Sequence, residues 1–234
     1  MPSYAYTVLC IPFLVLWAFL YARNPALRKH LFWMSALLGI AGPIAEFWHT
    51  RDYWNPGYLA PVKIGPWRFG LEDYILTFAM AGIAFVLFER IYTGRGADPL
   101  PEWRWKTLFC LDMAGNAGIL CMAFFIYILK INSIYALISS IAAASLVLFG
   151  RRREWLPAAA LAASIYALGY LLFFRLFMMP LFPGSLERAW NLEALWGVRL
   201  AGVPAEEIAW AFMLALFVGP IIRACSESHK MEHG

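Results

Sequence analysis

Seven apolar stretches run through this chain, at 4–22, 29–48, 70–93, 105–129, 132–150, 156–178 and 203–224. Each is close to or above the roughly 20 residues that carry a helix across a bilayer. Lipid cannot satisfy free backbone N–H and C=O groups, so segments of this kind have to close their hydrogen bonds internally, as helices. The pattern predicts an all-α polytopic membrane protein of about seven spans. Composition agrees, with 62% hydrophobic and 15% charged residues against roughly 45–50% and 25% in soluble domains. The stretch at 29–48 is the most interrupted, by Gly42-Pro43 and Glu46.

The basic residues give an orientation. With the N-terminus outside, twelve of the nineteen Lys and Arg residues fall on the inner side and seven on the outer, which places the C-terminus in the cytoplasm. The first span carries its Arg after the apolar stretch and reads as a retained helix rather than a cleaved signal. A bacterial or archaeal cell membrane is the expected location. The net charge of +4 is spread over the loops, which implies no nucleic-acid partner. Cys10, Cys110, Cys121 and Cys225 stand singly without C-x-x-C spacing and read as buried thiols, not as a disulfide or metal site. His229 and His233 sit four apart in a polar tail, where a mobile end is expected rather than a metal site. No metal and no other cofactor is expected.

Carboxylates are rare at the edge of lipid, and those present mark function by default. Here they recur in a pattern. Trp54-Asn55 is followed by Glu72-Asp73, and Trp190-Asn191 by Glu206-Glu207, each acid pair opening an apolar span. The two pairs open the third and seventh spans, four crossings apart, so they lie at the same face of the membrane. This suggests a 3+1+3 plan of parallel repeats: residues 1–95 with three helices, 96–131 with a linker helix, and 132–234 with three helices and a cytoplasmic tail. Such a plan brings both acid pairs toward one cavity. Asp112 and Asn116, one turn apart in the linker helix, are expected to hydrogen-bond a neighbouring helix.

These segments resemble the membrane-integral lycopene cyclases, a family built of two related carotenoid-cyclase domains, fused or on separate chains. Trp54-Asn55-Pro56-Gly57-Tyr58-Leu59 with Phe69-Gly70-Leu71-Glu72-Asp73-Tyr74 is similar to the family's Trp, Asn and Tyr pattern followed by Gly-Leu-Pro-x-Glu-Glu. Asn191-Leu192-Glu193 through Gly197-Val198-Arg199, then Val203-Pro204-Ala205-Glu206-Glu207, is similar to its Asn-Leu-Glu-x-x-x-Gly-Ile-Arg segment and Pro-x-Glu-Asp/Glu box. Gly70 replaces the usual Pro of the first box, and Ile208-Ala209-Trp210 follows the second. Glu46 matches an Asp the family carries near the end of its second helix.

The resemblance implies a redox-neutral, acid-initiated cyclisation of linear carotenoid ends, lycopene to β-ring carotenoids, at Glu206, Glu207, Glu72, Asp73 and Glu46. It implies a polyene substrate within the bilayer, bound by Trp54, Asn55, Trp67, Tyr74, Trp190, Asn191 and Trp210, and is compatible with a homo-oligomer or a complex with other carotenoid enzymes. The chemistry suits such residues. A proton goes to a terminal double bond, an internal double bond attacks the resulting cation, and a second proton leaves. A carboxylic acid has to hold its proton for the first step, and desolvation with a neighbouring like charge favours that form. Adjacent helical positions point about 100° apart, so Glu206 and Glu207 face different ways. Glu206 is expected to share its face with Trp210, one turn on, where an aromatic ring stabilises a cation by up to about 2 kcal/mol. The alternative for the acids is helix capping with Arg68 or Arg199 as partners.

Other chemistries lack their residues. No Asp-rich pair is present to hold diphosphate through Mg²⁺, Ala211 stands where an intramembrane protease of the Glu-Glu-x-x-x-Arg type needs Arg, and no Rossmann fingerprint follows a strand. The last span holds no Lys for a retinal Schiff base. A carotenoid hydratase, adding water to the same cation, and a small-solute or proton-coupled transporter of 3+1+3 plan stay open.

Overall fold

The computed structural model describes residues 4–227; His229 and His233 lie outside the described residues. Among the described residues, seven helical segments are long and apolar enough to cross a membrane: Ala5–Arg23, Pro25–Asp52, Leu71–Thr93, Trp105–Tyr127, Ser133–Arg151, Arg153–Leu181 and Ala205–Glu227. The second is broken into α2 (Arg28–Gly39) and α3 (Ala41–Asp52) beside Gly42-Pro43. A Cβ on Gly42 would strike Asp73 O and Thr77 Oγ1, so glycine there lets α3 lie tight against α4 (Leu71–Thr93). In the sixth, α7 (Leu156–Phe173) passes through a π-helical stretch at Phe174–Met178 into α8 (Met179–Leu181), and a short α9 (Ser185–Ala189) leads on to Trp190. Pro180 follows that stretch, and its missing N–H and ring favour a local change of helical pitch.

The interior is organised on α4, which packs against α1 (Ala5–Arg23), α2, α3, α7 and α10 (Ala205–Glu227). Over the most apolar window of each, 61% of α4 is buried but only 11% of α5 (Trp105–Tyr127), so α5 lies at the edge of the bundle. Asp112 and Asn116 are both exposed on α5 and bond one another, Nδ2 to Oδ2 at 3.1 Å, and not a neighbouring helix. That corrects the expectation from sequence, and the reason is the peripheral seat of α5: no other helix faces that stripe.

Each acid helix is entered through a short antiparallel hairpin. β1 (Val62–Ile64) pairs with β2 (Trp67–Phe69) before α4, and β3 (Arg199–Leu200) with β4 (Val203–Pro204) before α10. The loops ahead of them meet in an antiparallel bridge between Trp54 and Trp190, with Asn55 N donating to Ala189 O at 2.6 Å and Asn191 N to Tyr53 O at 2.8 Å. The two Trp-Asn pairs are therefore in direct contact.

At the other end of the bundle, Arg223 and Glu89 form an ion pair at 2.9 Å, with each residue only 1% exposed. Arg223 Nε lies 2.9 Å from Glu227, Nη2 donates to Asp98 O, and the guanidinium sits 4.6 Å over the Tyr92 ring. Nearby in the chain, Cys225 is disulfide-bonded to Cys110, with Cα atoms 5.6 Å apart. This corrects the reading of four separate thiols, of which Cys10 and Cys121 are free. Sequence spacing carries no trace of a pair 115 residues apart.

Candidate active site

A cavity of about 180 Å³ opens between α1, α3, α4, α6 (Ser133–Arg151), α7 and α10. Its wall is almost wholly apolar and aromatic, with Phe13, Tyr53, Trp54, Phe174, Trp190 and Trp210 prominent. Three carboxyl groups reach it: Glu46, Asp73 and Glu207.

Each of the three is held by neutral donors. Glu207 accepts from Trp190 Nε1 on Oε1 at 2.6 Å and from the Tyr170 hydroxyl on Oε2 at 2.9 Å. Glu46 has the same arrangement, with Trp54 Nε1 on Oε1 at 3.0 Å and the Tyr58 hydroxyl on Oε2 at 3.2 Å. Asp73 accepts from the Tyr6 hydroxyl at 2.9 Å and, at the start of α4, from Gly70 N at 2.8 Å. Thus the two bridged tryptophans each clamp one cavity carboxyl. Tyr58, in the loop, has its hydroxyl pKa pushed up, first by burial and then by the adjacent Glu46.

Aromatic rings continue around Glu207. Tyr170 lies 5.8 Å from Trp210 and 4.9 Å from Phe174, Phe174 lies 6.0 Å from Trp190, and Trp190 lies 5.2 Å from Trp54, between centroids. Such π faces attract positive charge, more strongly where water is excluded.

The other acid of each pair turns away. Glu72 accepts from Thr7 Oγ1 at 2.7 Å and from Leu59 N at 3.0 Å. Glu206 accepts from the Tyr135 hydroxyl at 2.6 Å and Trp196 N at 2.8 Å. Both tie a loop down to the bundle, and neither lines the cavity. The acid sharing the cavity with Trp210 is Glu207, three residues earlier, and not Glu206. Positions i and i+3 are neighbours on a helix as well as i and i+4, so only the rotation of α10 decides between them. Arg68 and Arg199, the alternative partners, go elsewhere: Arg68 to Asn55 Oδ1 at 2.8 Å and Arg199 to Glu187 at 3.3 Å.

Of the aromatic and amide residues singled out from sequence, Trp54, Trp190 and Trp210 line the cavity. Four do not. The Asn55 side chain accepts from Arg68, Asn191 Nδ2 donates to Asp52 O at 3.3 Å, Trp67 Nε1 donates to Pro43 O at 2.8 Å, and the Tyr74 hydroxyl donates to Ala36 O at 3.3 Å. They hold loops and helices together from outside. Conversely His49, between Glu46 and Asp52 on α3, reaches the cavity, and Tyr6 and Tyr170 do so without any nearby acid in the chain to point to them. The available signal was a hydroxyl inside an apolar span, which has to find a partner when buried.

Fold and site define an all-α integral membrane protein with buried carboxyl groups around an apolar, aromatic-lined cavity. Residues 132–224, from the start of α6 into α10, match the family model described as lycopene cyclase, which supports a lycopene cyclase-type protein and carotenoid cyclisation as its general activity. No curated protein and no solved structure matches the chain.

Proposed function

We propose that the protein cyclises the linear end groups of a carotenoid, lycopene to β-ring carotenoids, by proton transfer from a cavity carboxyl, with no net oxidation or reduction. The observation that carries this reading is the opening of Glu46, Asp73 and Glu207 into one apolar, aromatic-lined cavity. At about 180 Å³ the space is comparable to an engineered cavity that accepts benzene. It suits one branched polyene end, with the remaining chain outside in lipid.

Glu207 is the proton donor in this reading. Trp190 Nε1 can only donate, and so holds Oε1 as an acceptor, which leaves the acid proton to Oε2. The Tyr170 hydroxyl there can rotate to accept instead of donate. Protonation of the terminal double bond leaves a tertiary cation among Trp210, Trp190 and Phe174, attack by the internal double bond closes the ring, and proton loss sets the ring alkene. Asp73 and Glu46 flank the cation and balance its charge. Glu72 and Glu206 act one step removed, by fixing the loops that carry Tyr58 and Trp196.

The bridged Trp-Asn pairs and the two hairpin-entered acid helices support a 3+1+3 plan of two parallel repeats with α5 as the linker. The distribution of Lys and Arg supports an outer N-terminus. The deciding experiment is pigment analysis of lycopene-producing bacteria expressing the chain beside Glu207→Gln and Asp73→Gln variants. Ring-bearing products from the wild type, lost in Glu207→Gln, are expected; unchanged lycopene despite good membrane expression of the wild type would overturn the reading.

A further inference from the structure

The cation formed on ring closure has to lose a proton, and each cavity carboxyl already engages one lone pair of both its oxygens in a received hydrogen bond, though each oxygen keeps a second. Among the described residues lining the cavity, the one nitrogen base is His49. It is buried on α3, beside Tyr53 with ring centroids 5.4 Å apart.

Its surroundings fix how its proton sits. His49 Nδ1 lies 2.7 Å from Ser133 Oγ, and Ser133 Oγ donates to Asp52 Oδ1 at 2.5 Å. Asp52 Oδ2 also accepts from Ser133 N at 3.1 Å. A carboxylate that receives both the N–H and the O–H of Ser133 takes the single hydroxyl proton, so Oγ is left to accept from His49 Nδ1–H. The tautomer this network imposes puts the lone pair on Nε2. Nε2 has no hydrogen-bond partner among the described residues, and His49 lines the cavity.

We infer that His49 is the catalytic base that ends the reaction, taking through Nε2 the proton the ring cation gives up, with Ser133 and Asp52 as positioning residues that hold its tautomer. The inference rests on the cyclase reading. In the step itself, a C–H bond beside the cationic ring carbon breaks, its electron pair becomes the ring double bond, and the proton forms an N–H bond on the imidazole. The imidazolium charge is stabilised through Nδ1–H, Ser133 and the Asp52 carboxylate. Since one proton left a carboxyl and one arrived on His49, the site resets by proton transfer back to that carboxyl through solvent, and no electrons move. Asp52 stands at the end of α3, half-exposed, which gives the chain of hydrogen bonds a route to water.

The test uses the full chain in lipid with lycopene in D₂O, comparing wild type, His49→Gln and Ser133→Ala after thermal melts establish that all three are folded. A missing base leaves the protonation step able to reverse. His49→Gln is expected to lower β-ring formation by at least about tenfold, with deuterium appearing in the returned lycopene or with water adducts and ring isomers among the products. Ser133→Ala, which only frees the tautomer, is expected to move the same way by a smaller factor. Wild-type rate and product distribution in His49→Gln would overturn the inference. So would a slower reaction with neither deuterium in lycopene nor altered products, which would assign His49 to substrate binding. A wild type that makes no rings would overturn the cyclase reading itself, and this inference with it.

Discussion

Both ends of the bundle bury carboxyl groups, and the difference lies in their partners. Glu89 faces the Arg223 guanidinium at 2.9 Å with a second acid, Glu227, on the same cation. Glu46, Asp73 and Glu207 face only hydroxyl, indole and amide donors. A guanidinium is never deprotonated in proteins, so the Glu89 end is an ion pair that holds helices in place. An acid among neutral donors can exist with or without its proton while its neighbours stay put. Burial is the same at both ends. In the proposed reading, the acids that pass a proton combine neutral partners with an opening into the cavity, because Glu72 and Glu206 are also buried among neutral donors but lie outside it.

The largest effect is expected on removing the Glu207 proton. Glu207→Gln preserves shape and an acceptor for Trp190, and is expected to lower ring formation by about 10²–10⁴-fold with a melting midpoint close to wild type. Loss of folding in that variant would place Glu207 with Glu89 as structural. The converse holds for Arg223→Met, which strands a buried carboxylate and is expected to cost about 3–5 kcal/mol of stability, read as a lowered midpoint in detergent, with per-molecule activity retained in the folded fraction. A cyclisation defect at full stability would erase the distinction between the two ends.

A smaller effect is expected within the acid pairs. Glu206→Gln leaves the cavity lining intact but weakens the tie to Tyr135 and Trp196, costing about 1.5–3 kcal/mol at most for hydrogen bonds to a charged group. Ring formation is expected to fall by less than tenfold, with faster proteolysis near Trp196. A loss as large as that of Glu207→Gln would move the proton donor to Glu206. Smallest of all, Asn55→Ala and Asn191→Ala act outside the cavity, and product formation is expected to stay within about twofold, as is usual for exposed polar contacts. A large drop in either would return these amides to the substrate site.

Much of the architecture was written in segment lengths. Seven apolar runs gave seven spans among the described residues, because a helix in lipid has no alternative way to close its backbone bonds, and the break at Ile40 fell beside the visible Gly42-Pro43 interruption. The rarity of acids in lipid likewise drew attention to the two boxes. What the pattern could not supply was helix rotation. Glu206 and Glu207 are equivalent in sequence, and the contacts that hold Glu206 outward come from Tyr135, 71 residues away, and Trp196, 10 residues away. The same limit hid Tyr6 and Tyr170, whose acid partners lie 67 and 37 residues away. It also hid the pairing of Cys110 with Cys225, which depends on where α5 meets the end of α10.

In the proposed mechanism a solvent-exchangeable carboxyl starts a reaction in which no electrons are exchanged. Its most direct measurement is the mass of the product made from unlabelled lycopene by the purified chain in lipid and D₂O. Each ring is expected to carry one solvent-derived deuterium on the carbon first protonated, with no added redox cofactor required. Rings formed without deuterium would contradict the account, because the initiating proton would then not come from an acid of this protein.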